Sequence, residues 1–316
     1  MQNFFEIFHE NNGTAVALGF FDGLHQGHRN IISLAVKEKE NGLTAVCLTF
    51  LQSPKSVLTH TDSNALMSDS DKLKTLEKLG IDHTIQLDFK KIMNMTAKDF
   101  FKEILVDNLN AKKLFCGFNY RFGKNGEGDV QMLKTLCDSH GIELNILPAK
   151  QNNGEVVSST LIRSLIAEGD IKKANELLCS EFGFSSVVEH GKKLGRTLGT
   201  PTINQSLLKE LSVPKFGVYV SRVTLADGKS YCGVTNIGIK PTVGGNVPVC
   251  ETWMPEYNGE EVYGQTVDIR LLEFIREEKK FADIEELKNA ILENGKTALK
   301  IFNKLYERDA CPNSGR

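Results

Sequence analysis

Apolar residues run along this chain in two rhythms, and the change between them is the first clue to its organisation. In the first part, short apolar runs at 14–18, 44–50, 83–87, 113–116 and 142–147 predict strands. Between them, helical spacing at 71–79, 96–109 and 129–140, and in Ile31, Ile32, Leu34 and Ala35, predicts helices. Strands alternating with helices predict a mostly parallel sheet wrapped by helices. Residues 160–179 read as helical with a break at Gly169 and Asp170, where a hinge between domains is expected.

Beyond residue 181 short β-prone runs dominate, at 184–189, 217–225, 231–236, 249–253 and 266–274, separated by Gly, Pro and Asn. Such spacing predicts a small antiparallel barrel or sandwich. Ile284, Leu287, Ile291, Ala298, Phe302 and Leu305 form a helical stripe that Gly295 interrupts, which predicts a helix packed on that barrel. The expected organisation is a domain at 1–180, a domain at 181–308 and a disordered tail at 309–316. The expected fold class is an α/β domain with a Rossmann-like parallel sheet, followed by an antiparallel β-barrel with a C-terminal helix.

A length of 316 residues, 41% of them apolar, supports two cores rather than one. The net charge of −2, with signs interspersed, leaves no footprint for general nucleic-acid or membrane-surface binding. No apolar run approaches the length of a membrane span, and Met1 to Glu6 lacks the basic and apolar regions of a signal peptide, so a cytoplasmic protein is expected. Seven scattered cysteines without a C-x-x-C pair read as reduced structural residues.

The chemistry begins where the first apolar run ends. Gly19-Phe20-Phe21-Asp22-Gly23-Leu24-His25-Gln26-Gly27-His28 bridges a strand and a helix. Gly19, Gly23 and Gly27 let the chain turn and approach a ligand, while His25 and His28 fall at a helix start, whose N–H groups and dipole favour anions. Two imidazoles there can donate to phosphate oxygens and stabilise growing charge. The plainer alternatives are solvated loop histidines or a metal site, and the latter would lack further ligands beyond Asp22. In Gly117-Phe118-Asn119-Tyr120-Arg121-Phe122-Gly123, Asn119 and Arg121 follow a strand end, the ligand side of an open α/β sheet. Ser158, Ser159 and Thr160 can cap the next helix, with Arg163 one turn in as a fork of donors; a merely capped helix with a surface arginine is the bland reading.

Those three segments resemble the HIGH-type nucleotidyltransferases, and among them the FMN adenylyltransferase branch. A further series resembles riboflavin kinase: Gly195-Arg196-Thr197-Leu198-Gly199-Thr200-Pro201-Thr202-Ile203-Asn204, then Phe216-Gly217-Val218-Tyr219, then Gly233-Val234-Thr235-Asn236-Ile237-Gly238-Ile239-Lys240-Pro241-Thr242, then Glu251-Thr252. The whole chain is similar to the bacterial bifunctional riboflavin kinase and FAD synthetase family. If the residues after Pro201 are extended, Thr202 and Asn204 share a face, a pair of oxygen-bearing side chains suited to a hard cation. The resemblance implies that they hold the Mg2+ of ATP and that Glu251 is the general base for the ribityl hydroxyl. It implies His25, His28, Asn119 and Arg163 as the groups of the adenylyl transfer. Gly19, Phe20, Asp22, Gly23, Gly27, Ser158, Ser159 and Thr160 would line that nucleotide site, and Gly191, Gly195, Arg196 and Gly199 would cover the kinase phosphates. The implied partners are ATP, riboflavin and FMN, with no nucleic acid or membrane, in a monomer or weak homo-oligomer.

Three positions depart from the family pattern. Ser53 stands where a histidine is usual, which weakens an expected phosphate contact and implies slower adenylylation. Thr200 replaces a phenylalanine before Pro201, placing a polar group on the face of Thr202 and Asn204 if the segment is extended, and Trp253 follows Glu251-Thr252 in place of a histidine. Retention of only one activity, or a non-catalytic flavin-binding protein, remains open on these residues.

Overall fold

The computed structural model describes residues 12–61, 64–191, 195, 199–242 and 245–306, so the expected tail at 309–316 lies outside the described residues. The chain forms two compact units that divide between Ser159 and Thr160.

The first unit is built on five parallel strands: β1 (Thr14–Leu18), β2 (Thr44–Phe50), β3 (His83–Leu87), β4 (Ala111–Gly117) and β5 (Glu143–Leu147), in the order β3-β2-β1-β4-β5. Alternation along the strands feeds two cores. Val16, Leu18, Val46 and Leu48 face the helical rod of Phe100, Phe101, Ile104 and Leu105 and the helix carrying Leu133 and Cys137. On the other face the smaller Ala15, Ala17, Ala45 and Cys47 meet Ile31, Ile32 and Ala35 of α1 (Gln26–Lys37) and Leu76 of a later helix. The chain order reverses between β1 and β4, so the crevice beyond their carboxyl ends is the ligand position of an open α/β sheet.

The helices include two short ones that hydrophobic periodicity does not show: α2 (Pro54–Thr59), started by the Ser53 cap and Pro54, and, after α3 (Asp69–Lys78), α4 (Phe89–Ile92), capped by Asp88. The helix expected at 96–109 starts as α5 (Ala97–Asp99) and continues as a π-helix over Phe100–Asn108. The next helix, α6 (Val130–His140), is capped by Asp129.

A two-stranded ribbon, β6 (Gln151–Asn152) with β7 (Glu155–Val156), precedes α7 (Ser159–Glu168). The break at Gly169 and Asp170 separates α7 from α8 (Ile171–Leu178), with Gly169 at φ +87° and Asp170 capping Lys173. From Thr160 onward these helices cluster with the second unit. Asn175 illustrates why: its amide donates to Leu271 O at 2.8 Å and accepts from Phe182 N at 2.7 Å.

The second unit is a six-stranded antiparallel sheet of β8 (Gly183–Val187), β9 (Thr202–Ser206), β10 (Gly217–Thr224), β11 (Ser230–Thr242), β12 (Gly245–Trp253) and β13 (Thr266–Arg276), in the order β8-β13-β10-β11-β12-β9. Its two edges nearly close into a barrel. Glu189 N–H donates to Asn204 O at 2.8 Å, and the Gln205 amide donates to Ser186 O at 2.7 Å and to Val267 O at 2.9 Å. Inside, Ser221, Thr235 and Thr252 are fully buried and satisfy one another through hydroxyl contacts of 2.7 and 2.8 Å.

The last helix, α9 (Ile284–Tyr306), is the single helix expected there, and Gly295 interrupts its apolar stripe but not the helix itself. The physical reason is space. A Cβ at Gly295 would stand 2.6 Å from Cζ3 of Trp253, so the glycine lets the indole seat against the helix. Trp253 joins Val218, Val220, Cys232, Val234, Leu272 and Ala298 in the core between sheet and helix.

Of the cysteines, Cys47, Cys116, Cys137, Cys232 and Cys250 are buried free thiols that burial pushes up to about 12, while Cys179 is exposed and Cys311 lies outside the described residues. Among the described residues, no helix is long and apolar enough to cross a membrane.

Candidate functional site

The loop after β1 holds three residues in left-handed backbone: Phe21 at φ 55°, Gly23 at 78° and Leu24 at 44°. Two of them carry side chains, a conformation costing about 1 kcal/mol or more each, so the surroundings must enforce it. Four hydrogen bonds do so. Thr49 Oγ1 donates to Phe20 O at 2.9 Å, Leu66 N–H to Asp22 Oδ1 at 2.8 Å, Ser159 Oγ to Asp22 O at 3.1 Å, and Arg29 Nε to Leu24 O at 2.9 Å.

Asp22 is therefore buried and turned into the protein as a brace. Only Gly23 supplies the turn expected of the three glycines. Gly19 and Gly27 instead make room for rings: a Cβ would meet the Phe21 ring at 3.0 Å and His25 Cε1 at 3.2 Å, respectively.

His25 is the N-cap of α1, its Nδ1 accepting the His28 N–H at 3.4 Å, so its proton belongs on Nε2. The two imidazoles stack at 3.6 Å between centroids and 19° between planes, and Phe21 meets His28 edge-on at 5.4 Å. Burial lowers the His25 pKa to about 4, against a smaller opposing backbone hydrogen bond. Burial first, and then the neighbouring His25, hold His28 well below its ordinary value. Both rings are thus neutral near pH 7, and the Nδ1 of His28 is buried without a hydrogen-bond partner among the described residues. A pair of neutral donors beside a helix N-terminus can receive phosphate oxygens without first breaking a salt bridge.

At the neighbouring strand end, Asn119 is exposed and its Oδ1 folds back over Gly117, 3.2 Å from where a Cβ would stand. Arg121 is also exposed, 3.9 Å from Asp129. Ser53 caps α2, accepting from Ser56 N–H at 3.4 Å. Of the residues expected to cap the next helix, Ser158 stands immediately before α7, at the cap position, Ser159 is its first residue with its hydroxyl bracing Asp22, and Thr160 is exposed. Arg163 sits half-buried one turn into α7.

Sequence reasoning missed Lys72. It is 4% exposed, with Nζ 3.2 Å from Asp69, 3.5 Å from Phe50 O and 4.9 Å from the centroid of Phe20. Its spacing of four from the core residue Leu76 is the signal that would have placed it on the inner face of α3.

In the second unit, β9 is extended and puts Thr202 and Asn204 on one face, half-buried beside inward Ile203 and Gln205. Strand register adds what spacing alone does not contain. Asn204 lies directly opposite Glu251, and Glu251 directly opposite Asn236, so the three form a polar row across β9, β12 and β11. Thr202 and Trp253 pair one step along the same face.

Gly191 is tight against this row, since a Cβ there would come well inside 3.0 Å of the Asn204 amide. A Cβ at Gly195 would crowd Thr200 O and approach Thr202 Oγ1 at 3.3 Å, and Gly199 turns at φ +76°. Arg196 lies outside the described residues. Thr200 is not on the shared face: it precedes the strand, is fully buried, and its Oγ1 has no partner among the described residues. The donor set of one hydroxyl and one amide oxygen, with bare glycine backbone beside it, fits a hydrated hard cation carrying phosphates.

Next to Thr202 opens a cavity of about 340 Å³, walled by Pro201, Ile203, Met254, Tyr257, Val262 and Tyr263. The Tyr263 ring stacks obliquely on His190 at 4.1 Å, and Tyr257 OH donates to Glu260 O at 2.7 Å. These wall residues had no motif to mark them; they come together only because β9 and the 254–263 loop are neighbours in space.

Comparison with known proteins covers the same two units. Residues 7–161 match the family model for FAD synthetase, and residues 178–302 that for riboflavin kinase. A bifunctional riboflavin kinase/FMN adenylyltransferase of Escherichia coli (strain K12) is 31% identical over 293 residues, covering 92% of this chain and 93% of its own. Its counterpart in Bacillus subtilis (strain 168) is 31% identical over 303 residues, 94% and 95% of the two chains. A crystal structure described as a macrolide-efflux protein from Streptococcus pneumoniae has the same fold, with TM-score 0.85 at 29% identity over 94% of this chain and 97% of that one.

Proposed function

This chain belongs to the bifunctional riboflavin kinase/FMN adenylyltransferase family, and on that premise we propose that it converts riboflavin to FAD in two ATP-dependent steps. In the first, the ribityl 5′-hydroxyl takes the γ-phosphoryl group of ATP, giving FMN and ADP. In the second, the FMN phosphate attacks the α-phosphorus of another ATP, giving FAD and pyrophosphate. The functional division is proposed to fall at residues 1–180 and 181–308.

For the kinase step, Glu251 accepts the hydroxyl proton as the new P–O bond forms. Thr202 and Asn204 hold the divalent cation of ATP, proposed to be Mg2+, which neutralises phosphate charge when bound. The cavity beside Thr202 is proposed to take the adenine, with Tyr257 and Tyr263 as its walls, under a phosphate cover of Gly191, Gly195, Arg196 and Gly199. The observation that carries this assignment is the register that sets Glu251 directly beside Asn204.

For the adenylyl transfer, Gly19, Phe20, Gly23 and Gly27 shape the nucleotide loop. His25 and His28 donate to the phosphates, and Asn119 orients the reactants. Arg163, with Ser158 and Thr160 near it in sequence, is proposed to hold the departing pyrophosphate. The stacked, neutral imidazoles at the start of α1 carry this half. Phosphate charge brought to them favours their protonated form, so they gain donor strength as the substrate binds.

ATP, riboflavin and FMN are the substrates, in a cytoplasmic protein that works as a monomer or weak homo-oligomer without nucleic acid or membrane. The test is chromatographic product analysis after incubation with riboflavin, ATP and Mg2+. FMN should appear first and then pass to FAD. Product stopping at FMN with excess ATP and pyrophosphatase would leave a kinase alone, and flavin binding without ATP consumption would leave a binding protein.

A further inference from the structure

The connection between β13 and α9 carries a carboxylate that the reaction as described does not use. Glu278 lies two residues beyond the end of β13, and its Oε1 accepts from the Asn236 amide at 3.4 Å. Asn236 is the member of the polar row directly opposite Glu251.

The backbone beneath Glu278 is bare. A Cβ at Gly238 would come well inside 3.0 Å of Glu278 Oε1, and 3.0 and 3.2 Å from its Cδ and Oε2. Gly238 has no left-handed backbone to justify a glycine. Its space is the reason for it: two residues from Asn236 on β11, it shares the face of Asn236 and Glu251, and it is kept empty for the carboxylate.

The rest of the connection is fastened separately. Phe281 lies near two cations, with Arg276 5.6 Å and Lys279 4.8 Å from its ring centroid. Lys279 Nζ reaches Glu286 at 3.1 Å, and Ala282 N–H donates to the same carboxylate at 2.9 Å, tying the segment to the first turn of α9. Glu278 is the point at which this strap grips the strand beside the general base.

Resting on the kinase assignment of Glu251, we propose that Glu278 is a positioning residue for phosphorylation of the flavin substrate: it orients the Asn236 amide against Glu251 and clamps the β13–α9 connection over that face, with Gly238 as its seat. An exposed glutamate with no such task would leave residue 238 free to vary in size. A positioning role predicts that enlarging residue 238 mimics loss of the carboxylate, because the flexible side chain is what yields to the new methyl group.

The experiment measures FMN formation, with FAD formation from supplied FMN as the folding control in the same preparations. Glu278→Ala should lower kcat for FMN formation about tenfold while KM for ATP changes less than about twofold. Glu278→Gln keeps an acceptor for the Asn236 amide and should recover most of the rate, to within about threefold of wild type. Gly238→Ala should lose about as much as Glu278→Ala. The double variant should be no worse than either single one, since both remove the same contact.

Unchanged kcat in Glu278→Ala would overturn the proposal. So would losses that multiply in the double variant, or Glu278→Gln as slow as the alanine variant. Absence of FMN formation in the wild type would instead remove the kinase assignment on which the proposal rests.

Discussion

In the first unit the two imidazoles ride on a strained loop and are kept largely out of water, whereas in the second unit Glu251 stands exposed on a regular antiparallel strand between two amides. Each arrangement suits its chemistry. For the proposed adenylyl transfer, burial keeps the histidines neutral in the free protein, ready to respond to the charge that arriving phosphates bring. The proposed phosphorylation of an alcohol needs a proton acceptor that the hydroxyl can reach, and the exposed position of Glu251 on its strand gives that access. Loop strain is restrained by hydrogen bonds from Thr49, Leu66, Ser159 and Arg29, while the strand row is restrained by ladder register and by the packing of Trp253 on α9.

The sharpest break of this comparison is chemical. Glu251→Gln should reduce FMN formation about a thousandfold and leave FAD formation from supplied FMN intact, as read by chromatography of the products. His28→Ala should do the reverse, lowering FAD formation about three hundredfold while FMN formation stays at the wild-type rate. Joint loss of both activities in either folded variant would mean that the two sites are not separate.

The difference in burial is tested by acid. His25 has a folded pKa of about 4 against 6.5 unfolded, so below pH 6.5 the unfolded chain takes up a proton that the folded chain does not. The stabilisation is full above about pH 6.5 and is lost as pH falls towards 4, by about 3 kcal/mol at most. Denaturant titrations at pH 7 and pH 4.5 should show a smaller loss in His25→Asn, which keeps the cap and removes the titration. An equal loss would mean that His25 is not held neutral by the fold.

The packing that steadies the second site gives smaller effects. Gly295→Ala should destabilise by about 2 kcal/mol in thermal or chemical unfolding, although alanine is the better helix former, because the methyl meets the Trp253 ring. A gain in stability would show that the indole moves aside freely. Thr200→Val should stabilise by about 1 kcal/mol, since it replaces a buried hydroxyl that has no partner among the described residues by a methyl of similar size. It should leave FMN formation unchanged, because Thr200 is off the face of Thr202 and Asn204.

Most of the strands and of the longer helices were legible from periodicity, since in both units the buried faces are apolar at intervals of two or three to four residues, but β6, β7 and β9 were not among the runs it marked. Short α2 and α4 were not, because at six and four residues they are made by caps and carry no stripe of their own. The first site was legible as a motif because a strand, a turn and a helix start are contiguous in the chain. The role of Asp22 was not, since its partner Leu66 is 44 residues away.

What the amino-acid order determined by itself is local: where apolar periodicity changes from strand and helix to strand alone, where a helix can begin, and which side chains carry donors, acceptors and protons. Only the tertiary structure decided that Glu251 lies between Asn204 and Asn236, that Gly295 is room for Trp253, that Lys72 is buried and that both histidines are neutral. Each of those depends on distance and dielectric between groups far apart in the chain, which propensity and spacing do not encode.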